Sequence, residues 1–366
     1  MKKICYVISS LQKTGPVNVL YNIIKNLDRT EFEPYVITLS KEPQNSLIDD
    51  FKKLNIENLQ LNLDRTKSFF FGPKKLKTLV DRIKPDIVHS HCFRSSLFSA
   101  ISLNEYKRIA TVHCEYKTDF KMLYGNVLGY TMYLLMYYSL KKIKNNICVS
   151  KQLADILNER EKNIKFNYID NGIDTDNFKP IENKFELREK LNLPKDKKIF
   201  IWSGAFIERK SPMTLVKAIK KITNKDLFFV FCGSGILEQE CKNKLQDNDN
   251  VLFTGFVDNI QEYLQASDYY ISTSLSEGFH LTVYEALSCG LPVVLTDISV
   301  YDELKKNDIG LFFKIGNEVE LSKKINEILQ KNYDLYSSNA VVLIKNQFSS
   351  ELMSKKYSLF YEDISQ

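Results

Sequence analysis

The chain alternates short apolar runs with helix-spaced segments, breaks off at a charged stretch, and then repeats the pattern. KICYVIS (3–9), YVITL (35–39), DIVHSH (86–91), RIATVH (108–113), NICVS (146–150) and FNYID (166–170) read as strands, most of them followed by helical spacing. Strands apolar on both faces need cover on both, which is the condition of a parallel sheet between helices. FKPIENKFELREKLNLPKDK (178–197) is charged, contains Pro180 and Pro194, and interrupts the rhythm. Afterwards KIFIWSG (198–204), DLFFVFCG (226–233), VLFTG (251–255), DYYIST (268–273) and LPVVLT (291–296) supply a second set. The fold class is therefore α/β with two doubly wound domains. Expected spans are 1–170, a connection at 171–197, a second domain at 198–340, and a helical tail at 341–366 that returns to the first domain. In such sheets ligands lie beyond the carboxyl ends of the strands, and a pair of domains is expected to face a central cleft.

Composition narrows the class. The 366 residues suit two domains, and 44% hydrophobic with 26% charged residues is the balance of a soluble globular protein. A net charge of +6 fits contact with phosphates or anionic lipid and gives no case for nucleic acid. The seven cysteines form no C-x-x-C pair and read as buried free thiols, as in the cytoplasm. The start, MKKICYVISSLQKTG, reads as a first core strand and not as a signal peptide. Residues 122–140 carry no charge, but Gly, Asn, Thr, Ser and five tyrosines argue against a spanning helix. A helix packed on its own domain, or contact with a membrane surface helped by Lys117, Lys121, Lys141, Lys142 and Lys144, remain as readings of that stretch.

The most informative motif is SEGFHLTVYEALSCGLPVVLTD (276–297). Glu277 falls at the end of one strand and Glu285 one turn into the following helix. The amides of Gly278, Phe279, His280, Leu281 and Thr282 form the free start of that helix, which suits a phosphate. Carboxylates on either side of a phosphate cradle can accept hydrogen bonds from sugar hydroxyls, so the motif reads as a nucleotide-sugar site.

Other residues support it less strongly. Arg209 and Lys210 follow the strand KIFIWSG and can neutralise a diphosphate. Gly233 opens a Gly-Ser-Gly turn after another strand, and Gly15 follows the first strand; both allow close approach of the backbone to a ligand. His113 ends RIATVH and can contact a sugar or move a proton. His89 and His91 have no nearby partner to complete a metal set. The D-x-D patterns at Asp174 and Asp247 read as turns. No nucleophile elbow, G-x-x-x-x-G-K-[ST] loop or first-strand G-x-G-x-x-G is present.

Taken together, LQKTGPVNVLYNII, KPDIVHSH, VSKQLADIL with IDNGID, SGAFIERKSP, FCGSG, FTGFVDNI and EGFHLTVYEALSCGLPVV resemble the retaining glycosyltransferases of family 4 over nearly the whole chain. That resemblance implies the GT-B architecture, two Rossmann-like domains with the acceptor on the first and a nucleotide-sugar donor on the second. It implies Glu277 and His113 at the reacting sugar and Glu285 on the ribose. Amides of Gly278, Phe279, His280, Leu281 and Thr282 would contact the diphosphate and sugar. Arg209 and Lys210 would hold the diphosphate, with Gly15, Asn171 and Gly233 near the phosphates and Val257 at the base. His280 stands where many relatives carry Gly or Pro, so it is expected to influence which donor sugar fits.

The resemblance further implies a hexosyltransferase using a UDP-sugar as co-substrate, with neither metal nor other cofactor. A glycan or lipid-linked acceptor in cell-surface polysaccharide synthesis (capsule, O-antigen or lipopolysaccharide) would receive the sugar. The protein would be cytoplasmic and peripheral at the inner face of the membrane, touching it through 117–144 and the TKSFFFGPKKLK loop (66–77). Two alternatives remain: a nucleotide-sugar 2-epimerase of the same architecture, and a non-catalytic glycan- or nucleotide-binding partner.

Overall fold

The computed structural model describes residues 1–64 and 68–365, and the chain divides into two compact units. The first comprises Met1–Gly172 with Ser350–Gln366, the second Ile173–Ser349. The crossing points thus lie at 172/173 and 349/350, not at 170/171 and 340/341. The helix Tyr333–Gln347 stays with the second unit, and only the helix Ser350–Ser365 joins the first.

Among the described residues the first unit holds seven parallel strands: β1 (Lys2–Ile8), β2 (Phe32–Thr38), β3 (Glu57–Gln60), β4 (Ile87–His91), β5 (Lys107–Val112), β6 (Asn145–Cys148) and β7 (Phe166–Tyr168). They lie in the order β3-β2-β1-β4-β5-β6-β7, so the order reverses between β1 and β4. β3 (ENLQ) is a polar edge strand, which is why no apolar run announced it. The second unit holds β8 (Lys198–Ser203), β9 (Leu227–Cys232), β10 (Val251–Gly255), β11 (Tyr269–Ser272), β12 (Val293–Thr296) and β13 (Gly310–Phe313). Their order, β10-β9-β8-β11-β12-β13, is that of a Rossmann sheet, with its switch point between β8 and β11.

Three expectations change. Residues 173–197 are no loose connection. The helix Lys184–Lys190 is fixed by buried Arg188, which donates to the carbonyls of Ala266, Lys195 and Lys197 and pairs with Asp268 at 2.8 Å. The supposed loop at 66–77 is helical from Ser68 onward; 65–67 lie outside the described residues. Gly72 and Pro73 are both poor helix formers, but Gly72 meets the Phe98 ring so closely that a Cβ would fall 2.3 Å from it, and Phe69 packs edge-on to the same ring. The helix Tyr116–Ile143 breaks sharply at Gly125 (φ +75°, ψ −177°), and the break brings Gly129 against the Phe120 carbonyl. Among the described residues no helix is long and apolar enough to cross a membrane.

The C-terminal helix completes the first core. Tyr361 hydrogen-bonds His89 Nδ1 at 2.8 Å and Tyr6 at 3.1 Å, while Thr111 meets His89 Nε2 at 2.7 Å and Tyr357 at 3.2 Å. His89 is thereby a fully satisfied core histidine. Replacing Tyr361 by Phe leaves buried His89 Nδ1 without its partner, a loss of about 1–3 kcal/mol. The expected outcome is a lower denaturation midpoint with an unchanged slope in urea unfolding.

Candidate active site

The switch point of the second sheet gathers the chemistry. β8 runs into Gly204–Ile207 and the short turn Glu208–Lys210; β11 runs into residues 273–280 and the helix Leu281–Ser288. The two loops are stitched together by their backbones. Thr273 Oγ1 donates to the Lys210 carbonyl (2.9 Å), the Leu275 amide to the Arg209 carbonyl (2.8 Å), and Trp202 Nε1 to Thr273 Oγ1 (3.0 Å). These bonds carry Arg209 and Lys210 to Glu277.

Glu277 is 6% exposed and pairs with both cations, Arg209 Nη1 to Oε2 at 2.7 Å and Lys210 Nζ to Oε1 at 2.6 Å. Arg209 Nη1 also donates to the Ser276 carbonyl at 3.0 Å. Burial raises the Glu277 carboxyl, but Lys210, His280 and Arg209 outweigh it and hold it well below the usual carboxylate range. Burial pulls the Lys210 ammonium down, with Glu277 opposing and Arg209 adding to the fall. Two cations against one carboxylate leave a positive surplus at the carboxyl end of the sheet.

His280 lies within this cluster and not open to a sugar. Its ring is 4% exposed, with Nε2 3.1 Å from Lys210 Nζ and Nδ1 2.7 Å from the Tyr301 hydroxyl. Burial, with Lys210 beside it, pushes its pKa down to about 3 despite Glu277. Tyr301 was missed by the sequence reading; it sits in a short turn after β12, where no motif marks it.

The helix Leu281–Ser288 begins without a side-chain cap, so Leu281 and Thr282 open an uncapped N-terminus. Phe279 turns its ring inward, stacking on Tyr284 at 4.1 Å and approaching Phe348 at 6.3 Å, which leaves only its backbone for a ligand. Glu285 faces no charge. Burial alone pushes its carboxyl up to about 7, and no hydrogen bond or ion pair to a described residue holds that carboxyl. Gly233 has a conformational reason of its own: φ is +135°, and a Cβ there would sit 1.9 Å from the Gly204 carbonyl oxygen. Val257 is half-buried in the loop after β10, two strands from β8.

Gly15, His113 and Asn171 belong to the first unit. Gly15 starts the helix Gly15–Lys25, which also lacks a side-chain cap, beyond β1. His113 follows β5, its Nε2 3.2 Å from His91 Nδ1, and burial lowers its pKa to about 3. Asn171 is buried, with Oδ1 lacking a partner. Glu115, whose role the sequence left open, caps the helix Tyr116–Ile143 through the amides of Lys117 and Thr118 and pairs with Arg160. Asp174 accepts from the amides of Asp176 and Asn177, which makes its D-x-D a turn. Among the described residues no three His, Cys, Asp or Glu side chains cluster as a metal site.

A Rossmann sheet whose switch point carries Arg209, Lys210 and an uncapped helix start offers charge and donors to an anionic ligand. The profile of Glycosyltransferase Family 4 matches residues 14–177, and that of Glycosyl transferases group 1 matches 183–346. The chain belongs to these glycosyltransferases, with the GT-B fold. It is 28% identical to the O-antigen biosynthesis glycosyltransferase WclY of Escherichia coli, across 99% of this chain and 98% of that one. It is 26% identical to the UDP-Gal:alpha-D-GlcNAc-diphosphoundecaprenol alpha-1,3-galactosyltransferase of Escherichia coli, across 99% and 97%. A glycosyltransferase structure from Rickettsia africae ESF-5 superposes with a TM-score of 0.81 at 22% identity, covering 99% and 98% of the two chains. Anabaena Alr3699/HepE with UDP and glucose gives 0.82 at 16% identity, covering 99% and 100%.

The state of Glu285 has a measurable consequence. Folded, its carboxyl titrates at about 7; unfolded, at the ordinary 4.5. The folded chain keeps a proton there that the unfolded chain releases, so stability is full below 4.5 and falls as pH rises towards 7. Glu285→Gln removes the loss, on the order of 1–3 kcal/mol. Its melting temperature should exceed that of the natural protein at pH 8, and the gap should close in acid.

Proposed function

We propose that the protein is a retaining glycosyltransferase that moves a hexose from a UDP-sugar to a glycan or lipid-linked acceptor in bacterial surface-polysaccharide synthesis. The observation that carries it is the switch-point arrangement: a buried, unpartnered Glu285 on the helix whose uncapped start follows the cationic Glu277 cluster. A carboxylate so placed, with no partner of its own, is matched by the paired hydroxyls of a ribose. Arg209, Lys210 and the amides of residues 278–282 offer a diphosphate the charge and donors it requires as it leaves the anomeric carbon. The WclY and galactosyltransferase likenesses favour a surface glycan and a nucleotide-sugar donor. No step in this reading needs a metal.

On the first unit, a cavity of about 550 Å³ lies beyond the carboxyl ends of β1, β2 and β3. Ser10, Gln12, Ser40, Lys41, Asn62 and Asp64 line it, a set of donors and acceptors suited to an acceptor saccharide. His113, at the end of β5, two strands from β1, would face the reacting sugar.

A thermal-shift panel of nucleotide sugars, followed by turnover with the best ligand, tests the donor side. Glu285→Ala is expected to weaken nucleotide binding roughly tenfold or more, as loss of hydrogen bonds to a charged group does. Glu277→Ala is expected chiefly to remove turnover. Activity equal to the natural protein in both variants would sink the assignment. Release of nucleotide diphosphate without any acceptor would favour the epimerase.

The membrane reading rests on the outer face of the broken helix. Val127 is 84% exposed and Leu123, Met122, Leu128 and Tyr130 stand in solvent, flanked by exposed Lys117, Lys121, Lys141, Lys142 and Lys144. Phe70, on the helix Ser68–Ile83, is also 84% exposed. Apolar side chains among lysines suit an anionic bilayer surface. The protein should sediment with phosphatidylglycerol vesicles at low salt, and Leu123→Glu with Val127→Glu should abolish it. Absence of sedimentation by the unaltered chain removes the membrane from the proposal.

A further inference from the structure

The hydrogen bonds around His280 fix where its proton sits. An ammonium only donates, so the Lys210 Nζ contact at 3.1 Å makes His280 Nε2 an acceptor. The proton of the neutral ring is then on Nδ1, from which it is donated to the Tyr301 hydroxyl at 2.7 Å or to Ser272 Oγ at 3.3 Å. Ser272 and Tyr301 are themselves 3.2 Å apart, so the hydroxyl pair is held as a unit. The resulting chain runs from Tyr301 through the imidazole to the Lys210 ammonium and on to Glu277.

We propose that His280 is a positioning residue, a neutral acceptor strut backed by Tyr301 that holds the Lys210 ammonium in place for an anionic ligand. A lysine head is a compact charge on a flexible stem. Glu277 alone would fix it from one side. The imidazole supplies a second hydrogen bond without adding a second negative charge, so the cluster keeps its formal surplus of one cation. A carboxylate in this position would cancel the surplus; an imidazolium could not accept at all. The motif's departure from Gly or Pro is thereby explained by Lys210 and not by direct contact with the sugar.

The consequence for ligands rests on the diphosphate reading above; the strut itself does not. The chain has four histidines, which makes a long-range proton–nitrogen spectrum of the 15N-labelled full-length protein tractable. The resonances lost in His280→Gln identify the ring. The expected result is a neutral Nδ1–H tautomer at pH 7. In Tyr301→Phe, with only Ser272 left on Nδ1, the spectrum should move towards mixed tautomers. Calorimetry with inorganic pyrophosphate then reads the lysine. His280→Phe, which fills the ring's volume without nitrogens, should weaken binding about tenfold. His280→Gln, whose oxygen can accept from Lys210 while its amide donates to Tyr301, should restore it to within about threefold. An Nε2–H tautomer or an imidazolium in the unaltered protein overturns the proposal, as does undiminished pyrophosphate binding by folded His280→Phe. No pyrophosphate binding by the unaltered protein, with the Nδ1–H tautomer present, overturns the diphosphate assignment and leaves the strut standing.

Discussion

The pairing of Glu277 with Arg209 and Lys210 is the constraint on which the second unit's chemistry depends. It ties the loop after β8 to the loop after β11, the two strands between which the sheet changes direction. A carboxylate this deeply buried is tolerable only because two cations answer it, and the carboxylate in turn steadies two partly buried cations. The pair of loops is thus preset before any ligand arrives. An anionic ligand would meet cations already desolvated and oriented, which is the arrangement that makes electrostatic stabilisation effective. Glu277 then has a role that its family position alone does not reveal: it organises the cations.

The first unit is organised differently. Its core is closed by the last helix of the chain, which returns after the second unit has been completed. Tyr357 and Tyr361 bring hydroxyls to Thr111 and His89, so a polar network, fully satisfied, sits inside an apolar sheet. Such a network tolerates little change, because each lost partner leaves a buried group unpaired. Beside it, the outer face of the broken helix Tyr116–Ile143 leaves large apolar side chains in solvent, which contributes nothing to the fold.

Much of this was legible in the chain. The apolar runs located the inner strands, since strands buried on both faces leave no polar alternation to confuse. The spacing of Glu277 and Glu285 around a glycine turn marked the candidate site for the same reason: a strand end and a helix start are close in sequence. What escaped was whatever depended on distant partners. β3 was hidden by its polar edge, and the helix from Ser68 by a Gly-Pro pair that the Phe98 ring accommodates. Gly233 read as a glycine kept for close approach to a ligand; the structure adds a packing reason, the Gly204 carbonyl, which leaves no room for any side chain there. His280 read as a selector of sugars, yet its ring is turned towards Lys210 and Tyr301.

The sequence by itself determined the two sheets, their helical cover, the family and the segments that form the candidate site, because periodicity and short motifs are local properties. Only the tertiary structure decided which charges answer one another, that burial leaves Glu285 without a charge to pair with, and that Tyr301 stands behind His280. Those facts arise where strands far apart in the chain end side by side, and burial turns each such neighbour into a shift of charge that no linear spacing encodes.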